Sequence, residues 1–338
     1  MLSASACSEG AGSSSSVTSA KTSANAAGAS GKLVVYSGRN EKLVGGLIAK
    51  FKETGVDVEV RYAGTSELAA TLLEEGDNSP ADVFFSQDAG ALGALSKAGR
   101  LQPITSPAAS QVSAKYRSAD LSWVGVSGRA RVLAYNPTKV PEAELPKSVL
   151  DLADPKWQGR IGFAPTNASF QSFVTALRVK EGEPKAKEWL AALKANGAKA
   201  YEGNGQVLEA VNKGEVHVGL VNHYYLYEKA RELGADKVFA KNHFFSGGDA
   251  GALVNVAGAG ILKGAKNAAA AQQFVDFLLS AESQKYFAEK TSEYPLVGDA
   301  APHPGLPALA SIQGPDIDLS DLDTLKETLA LMQEVGLV

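Results

Sequence analysis

The chain of 338 residues has one cysteine and no long hydrophobic run. With Cys7 alone, an intramolecular disulfide and a cysteine metal cluster are both excluded. No apolar run reaches the roughly 20 residues that a membrane-spanning helix needs. Basic residues are scattered, and 33 Lys and Arg against 37 Asp and Glu give a formal net charge of -4. Because nucleic-acid binding needs a concentrated basic face, we expect no nucleic-acid partner.

The composition of the first 31 residues predicts a flexible tether and not a folded element. Small residues precede Cys7, and a Ser/Ala/Gly-rich stretch follows it to about Ser30. Such a stretch cannot bury enough apolar surface to fold. The pattern resembles a bacterial lipoprotein processing site whose basic and apolar signal segments are missing. We expect a signal remnant and flexible tether over 1–31, lipid-anchored through Cys7 outside the cytoplasm; the alternative is a chance cysteine in a disordered tail.

Strand and helix patterns alternate after the tether, which predicts an α/β fold. Strands are predicted at 32–37, 56–62, 82–86, 123–135, 160–164, 215–221 and 252–257. Helices are predicted at 43–55, from a cap at Thr65 or Ser66, before Gly99, and at 170–179, 184–197, 224–233, 267–280, 282–290 and 320–334.

Two long strands are flanked by different sets of helices, which indicates two lobes joined by two crossings. Such an arrangement leaves a cleft that suits a small ligand. We expect residues 32–132 with 254–304 to form the first lobe. The second lobe would then consist of 133–253 with 305–338.

The segment 222–227, Asn-His-Tyr-Tyr-Leu-Tyr, follows a predicted strand and opens a helix. Ligands of open α/β sheets bind at the carboxyl ends of strands, so we expect Tyr224 and Tyr225 to face a crevice. A trivalent cation displaces the phenolic proton, and phenolate is a hard oxygen donor suited to Fe³⁺. The alternative is a pair of ordinary half-buried aromatics. We expect His223 to turn away from one of the tyrosines.

Several segments, in order along the chain, resemble the ferric-ion-binding proteins of bacterial iron ABC transporters. They are 36–41 (Tyr-Ser-Gly-Arg-Asn-Glu), 74–77 with 80–85, 127–132, 148–152 with 155–157, 222–227 and the ending 293–296. The resemblance spans about residues 32–300. It implies a two-lobe periplasmic-binding-protein-like fold of type II with a cleft and a hinge. It also implies a monomeric, non-enzymatic binding component that delivers Fe³⁺ to an ABC permease.

In that family the tyrosine pair donates two phenolates to iron, which maps onto Tyr224 and Tyr225. Members that close the site from the first lobe carry a histidine where this chain has Asn40, and an acidic ligand where it has Gln87. First-lobe substitutes for these ligands are Asn40, Glu41, Gln87 and Asp88, or else water and an anion.

The resemblance further implies a synergistic anion beside the metal: phosphate, carbonate or citrate. Helix N-termini present free N–H groups, and arginines offer bidentate charge, so both suit an oxyanion. Candidate anion contacts are Thr166, Asn167, Ser169, Asn204, Asn222, Arg39 and Arg129. The alternative is that Thr166, Asn167 and Asn204 are simple helix caps.

The sequence leaves three alternatives to the capture of ferric iron. The same fold could bind an oxyanion or a phosphorylated small molecule, which the missing histidine and acidic ligand would favour. A hydrolase using Tyr224 or Tyr225 ranks lower, because no convergent base or carboxylate pair is recognisable. A purely adhesive surface lipoprotein ranks last, because it would not need two lobes.

Overall fold

The computed structural model describes residues 31–338, so the predicted tether and Cys7 lie outside the described residues. The strands are β1 (Leu33–Ser37), β2 (Val58–Tyr62), β3 (Val83–Ser86), β4 (Leu101–Gln102), β5 (Trp123–Tyr135), β6 (Ile161–Phe163), β7 (Lys199–Ala200), β8 (Val218–Asn222), β9 (Lys241–His243), β10 (Val254–Leu262) and β11 (Tyr294–Pro295).

The α-helices are α1 (Glu41–Lys52), α2 (Thr65–Glu75), α3 (Ala89–Lys97), α4 (Pro107–Gln111), α5 (Ala168–Glu181), α6 (Glu183–Ala195), α7 (Asn204–Lys213), α8 (Tyr224–Leu233), α9 (Ala268–Leu278), α10 (Ala281–Tyr286) and α11 (Leu325–Val335). Helix α10 continues into a π-helical turn, Phe287–Thr291. Within the described residues, no helix has the length and apolar character to cross a membrane.

The strands follow the order β2-β1-β3-β10-β5-β8-β6-β7, in two halves that share β5. In the first half β1 is parallel to β2 and β3, and β10 is antiparallel to β3 and β5. In the second half β8 is antiparallel to β5 and parallel to β6. We call β1–β4, β10 and the first part of β5 the first unit, and β6–β9 with the last part of β5 the second unit.

Strand β5 joins the two units, and all 13 of its residues are buried. Its first part, up to Ala130, pairs with β10, and its last part, from Arg131, pairs with β8. Alternate residues of a strand point to the same face, so Arg129 and Arg131 project together at the point where the pairing changes. The crossing between the units therefore carries two buried cations.

The C-terminal segment contacts both units. A short 3₁₀ turn packs on α3 of the first unit and buries Leu319 and Leu322, while Lys97 of α3 pairs with Asp321 at 3.1 Å. Helix α11 then packs on α5 and α6 of the second unit. The chain thus links the units outside the sheet as well as through β5 and β10.

Most predicted strands and helices are confirmed to within a few residues, and the bounds of β5 and α8 match the prediction. The predicted cap of α2 is wrong, because Gly64 is the N-cap and Thr65 is already helical. The Thr65 hydroxyl instead donates to the Gly38 carbonyl at 3.3 Å and accepts from the Gln87 N–H at 3.2 Å. It therefore ties together two loops at the edge of the cleft.

Candidate functional site

Tyr224 and Tyr225 open α8 directly after β8, as predicted. Their rings stack with centroids 4.5 Å apart and planes inclined by 26°. Tyr224 is buried, whereas Tyr225 is half-buried. Burial raises the pKa of Tyr224 well above its ordinary value of 10, and the nearby Tyr225 adds to this shift. Tyr224 is therefore a neutral phenol unless a cation displaces its proton.

The two tyrosines line an inner cavity of about 90 Å³, which is enough for several water-sized groups. Both units contribute to it. Its polar and charged lining residues, besides the tyrosines, are Gln87, Asp88, Arg129, Arg131, Asn167, Ser169, Asn222 and Asn255.

Arg131 is a buried cation at this cavity without a carboxylate partner in residues 31–338. One terminal nitrogen lies 3.3 Å from Ser169 Oγ and 3.4 Å from Asn222 Oδ1, and the other donates to a carbonyl of β8. The guanidinium lies over Phe170 and Phe173, 5.6 and 5.4 Å from their ring centres. Burial lowers the pKa of Arg131 to about 9, although both tyrosines act in the opposite direction.

Arg129 lines the same cavity, and its Nε lies 4.0 Å from Glu293 Oε1. Glu293 is already held by Arg39 through two hydrogen bonds of 2.9 and 2.8 Å. Burial opposes ionisation of Glu293, but Arg39 and Arg129 keep its pKa below the ordinary value. Asp88 also lines the cavity, and burial raises its pKa. Three arginines thus face two carboxylates, which leaves at least one excess positive charge for an anion to neutralise.

A larger outer cavity of about 650 Å³ shares the tyrosines and Gln87 with the inner one. Its remaining lining residues are Gly38, Asn40, Lys42, Leu43, Glu228, Arg231 and Glu232. Asn40 is the N-cap of α1 and accepts from the Lys42 N–H at 2.9 Å. Gln87 Oε1 accepts from Arg39 at 2.9 Å. The first unit therefore contributes two neutral amides and the cation Lys42 to the lining of this cavity.

His223 points away from both cavities into the crossing between the units. Its Nδ1 accepts from the Ala130 N–H at 3.1 Å, so the proton sits on Nε2, which lies 2.7 Å from the Ser292 carbonyl. Burial lowers the pKa of His223 to about 4. Both ring nitrogens are in use, so His223 fixes the start of α8 to β5 and does not offer a lone pair to a ligand.

A comparison with known proteins accounts for this arrangement. The family described as bacterial extracellular solute-binding protein matches residues 78–319. The Fe(3+)-binding periplasmic protein of Serratia marcescens is 36% identical over 317 residues, which is 93% of each chain. The chain belongs to the bacterial extracellular solute-binding protein family.

Solved structures of similar proteins agree with this assignment. Iron-bound HitA from Pseudomonas aeruginosa matches with a TM-score of 0.84 and 37% identity, over 90% of this chain and 99% of that one. Trichodesmium IdiA (FutA), in complex with iron and citrate ligands, matches with a TM-score of 0.79 and 33% identity, over the same shares. The predicted two-lobe periplasmic-binding-protein fold is confirmed for this solute-binding protein.

The structure brings most of the predicted site residues together. Those that line a cavity of this solute-binding protein are Tyr224, Tyr225, Gln87, Asn40, Asn167, Ser169, Asn222 and Arg129. Asn204 lies just behind, where its Nδ2 donates to Ser169 Oγ at 2.9 Å and to Asn167 Oδ1 at 3.2 Å. Their placement agrees with the predictions, and their roles remain predictions.

Three predicted site residues do not reach either cavity. Glu41 is exposed in the first turn of α1, and its charge adds to the effect of burial in raising the pKa of Tyr62. Thr166 is exposed and lies outside α5, whose N-cap is Asn167. Arg39 is buried, and its terminal nitrogens donate hydrogen bonds to Glu293 and Gln87. It orders the site from behind and is not available to an anion.

Six polar or charged lining residues were not among the predicted site residues: Arg131, Asn255, Lys42, Glu228, Arg231 and Glu232. A signal for Arg131 was present, because Arg129 and Arg131 alternate within an otherwise apolar strand and must share a face. Glu228 also had a signal, since it follows the tyrosines at helical spacing. Asn255 and Arg231 had no such signal in the sequence, because their position at the cavities depends on how the two units pack.

Proposed function

We propose that this protein captures Fe³⁺ in the cleft between its units, with the phenolates of Tyr224 and Tyr225 as ligands, and delivers it to an ABC permease. The observation that carries the proposal is the stacked tyrosine pair beside a cavity that holds two buried arginines. It is supported by similarity to the Fe(3+)-binding periplasmic protein of Serratia marcescens and to iron-bound HitA. Phenolate is a hard anionic donor, and a trivalent ion is the kind of charge that can displace its proton.

A small anion completes the proposed site. Fe³⁺ beside Arg129 and Arg131 would be repelled unless negative charge lies between them. Asn167 and Ser169 sit at the start of the 14-residue helix α5, whose N–H groups and dipole favour an oxyanion. Carbonate, phosphate or a carboxylate arm of citrate would fit this chemistry. From the first unit, Gln87 and Asn40 offer neutral oxygen atoms to the metal.

A second candidate is an oxyanion or phosphorylated small molecule bound without metal. The specific observation that favours it is Arg131, a buried guanidinium with no carboxylate partner in the described part of the chain. Stacked phenols give no evident advantage to such a receptor. We therefore rank it second, and in either case we propose a binding protein and not an enzyme.

We further propose that the protein acts as a monomer outside the cytoplasm, anchored to the membrane by a lipid on Cys7. The family to which it belongs is extracellular. Metabolic labelling with a fatty-acid analogue would test the anchor: wild type should be labelled, and Cys7→Ser should not.

An iron titration tests the proposed site directly. Metal-stripped protein titrated with ferric citrate should develop a visible tyrosinate-to-iron charge-transfer band that saturates near one equivalent. The band should weaken in both Tyr224→Phe and Tyr225→Phe, because each removes one phenolate. Tyr227→Phe is the matched control, since its hydroxyl lies in the same helix but donates to the Gly305 carbonyl at 3.1 Å.

The second candidate predicts the opposite outcome in that experiment. Wild type would then give no band, while phosphate would still raise its thermal stability through binding to the native state. That result would mean that the bound ligand is an anion and that the tyrosines only line the cleft.

A further inference from the structure

Glu228 lies one helical turn after the tyrosine pair. Its spacing from Tyr225 and Tyr224 is i,i+3 and i,i+4, and helical residues at these spacings share a face. All three side chains line the outer cavity, which confirms that they project to the same side of α8.

The Glu228 carboxylate has no protein partner within residues 31–338: it makes neither a hydrogen bond nor an ion pair there. Arg231, a cation of the same helix whose charge acts on Glu228, instead donates to Ser292 Oγ at 2.7 Å. Burial raises the pKa of Glu228 to about 7, with Arg231 acting in the opposite direction. A partly buried carboxylate loses hydration without a protein contact in return, and a cation in the cavity would compensate for that loss.

Glu232, one turn further along α8, shows the contrast. It lines the same cavity, but its carboxylate is mostly exposed and pairs with Lys229 at 3.0 Å. Both acids therefore share a helix and a cavity, yet Glu228 alone combines partial burial with a free carboxylate.

The first unit does not supply an anionic ligand to this side of the tyrosines. Glu41 lies outside both cavities, and Asn40 and Gln87 are neutral amides. Asp88 faces the inner cavity, where it caps α3 and lies near Arg129. Two phenolates leave a ferric ion with one positive charge, and a hard cation takes oxygen anions first. One carboxylate would make the set of protein ligands neutral.

We propose that Glu228 is a carboxylate ligand of the captured ferric ion, contributed by the same helix as Tyr224 and Tyr225. The inference rests on the proposed iron site and adds to it a third anionic ligand. The second unit would thereby hold the metal by three side chains of α8 and compensate for the acidic ligand that the first unit lacks.

The test compares Glu228→Gln with Glu232→Gln in the full chain, because both substitutions remove one negative charge from the same helix and cavity. Each protein is loaded with Fe³⁺ from ferric citrate, and the charge-transfer band and iron retention against added citrate are measured. Loss of a carboxylate ligand makes the ferric ion a stronger electron acceptor. We expect Glu228→Gln to shift the band to longer wavelength and to retain iron about tenfold less well or worse. Glu232→Gln should match wild type.

Glu228→Asp provides a second variant that keeps the charge but shortens the side chain by one methylene. For a direct ligand we expect an intermediate loss of iron retention, because the carboxylate must reach further. If Glu228→Gln loses iron but Glu228→Asp retains it as well as wild type, the site needs only the negative charge. That result would overturn direct ligation by Glu228.

The outcomes separate this inference from the proposed function. A tyrosinate band in wild type that Glu228→Gln leaves unchanged would overturn the Glu228 ligand and leave the iron site intact. Equal shifts in Glu228→Gln and Glu232→Gln would indicate a general field effect and would also overturn it. Absence of any band in wild type would overturn the proposed function, and with it the ligand.

Discussion

At the scale of single residues, Arg131 shows most directly that the cleft is built for a charged ligand. A guanidinium buried without a carboxylate loses its hydration and gains no opposite charge in return. The rings of Phe170 and Phe173 and the neutral oxygens around Arg131 compensate only in part. An anion in the inner cavity would supply the missing counter-charge, whether it comes alone or with a metal.

His223 gives a prediction for pH dependence. The folded protein holds its pKa at about 4, whereas an unfolded histidine has a pKa near 6.5. Between these values the unfolded chain binds more protons, so His223 makes unfolding easier as the pH falls. Relative to His223→Gln, the metal-free wild type should lose about 3 kcal/mol of unfolding free energy between pH 7 and pH 4.

Urea denaturation of both proteins at several pH values measures this difference. A constant difference between wild type and His223→Gln across this range would contradict the neutral, buried histidine.

The tyrosine pair could be predicted from sequence because its two signals are local: adjacent phenols and a strand-to-helix junction. The predicted site residues that lie outside the cavities were also chosen from local patterns, but their positions depend on tertiary contacts. Arg39 lies in a motif typical of the family, yet its charge is neutralised by Glu293, 254 positions further along the chain. No spacing rule could have related these two residues.

At the scale of elements, β5 determines the geometry of the cleft. Its apolar run predicts a long buried strand with the bounds that the structure shows. The exchange of partners, from β10 to β8, has no local signal because it depends on the packing of both units. Helix starts were also difficult to predict: α2 and α7 are capped by Gly64 and Gly203, although better side-chain caps stand beside them.

Helix α3 gives a prediction about packing. The backbone of the C-terminal segment runs so close to Gly93 that an added Cβ would lie 2.5 Å from the Ser320 carbonyl oxygen. Gly93→Ala should therefore force the segment away and cost about 1–3 kcal/mol of unfolding free energy. Gly45→Ala in α1 is the matched control, because its Cβ would meet only Glu41 Cγ at 3.5 Å.

The control should gain about 0.5–1 kcal/mol, since alanine is the better helix former. Urea denaturation midpoints compare the two variants with wild type. If Gly93→Ala proves as stable as Gly45→Ala, the close packing of the C-terminal segment on α3 is contradicted.

At the scale of the whole molecule, the units are held together by β5, β10 and the C-terminal segment. The predicted two-lobe fold is confirmed by similarity to solved structures, whereas the exact residue bounds of the lobes remain a prediction. The two predicted crossings between lobes had indicated a cleft for a small ligand, and the charged cavity is consistent with that. Sequence could not supply the position of the stretch before the last predicted helix, because its Pro- and Gly-rich course carries no periodic signal.

Deletion of residues 319–338 tests the contribution of that segment. The deletion removes the buried side chains of Leu319, Leu322, Leu331 and Met332. Each contributes about 1.5–3 kcal/mol when buried, and total stability is only about 5–15 kcal/mol. We expect a large fall in the thermal unfolding temperature or loss of the folded state. An unchanged unfolding temperature would contradict a structural role for the segment.

Iron capture as proposed requires that Tyr224 and Tyr225 bind one ferric ion in the cleft. A crystal structure of the iron-loaded protein, with anomalous scattering recorded at the iron absorption edge, tests it most directly. We predict one strong anomalous peak within bonding distance of both phenol oxygens, with a small anion between the metal and Arg131. An anomalous peak elsewhere, or an anion alone in the inner cavity with both phenols unbound, would contradict the claim.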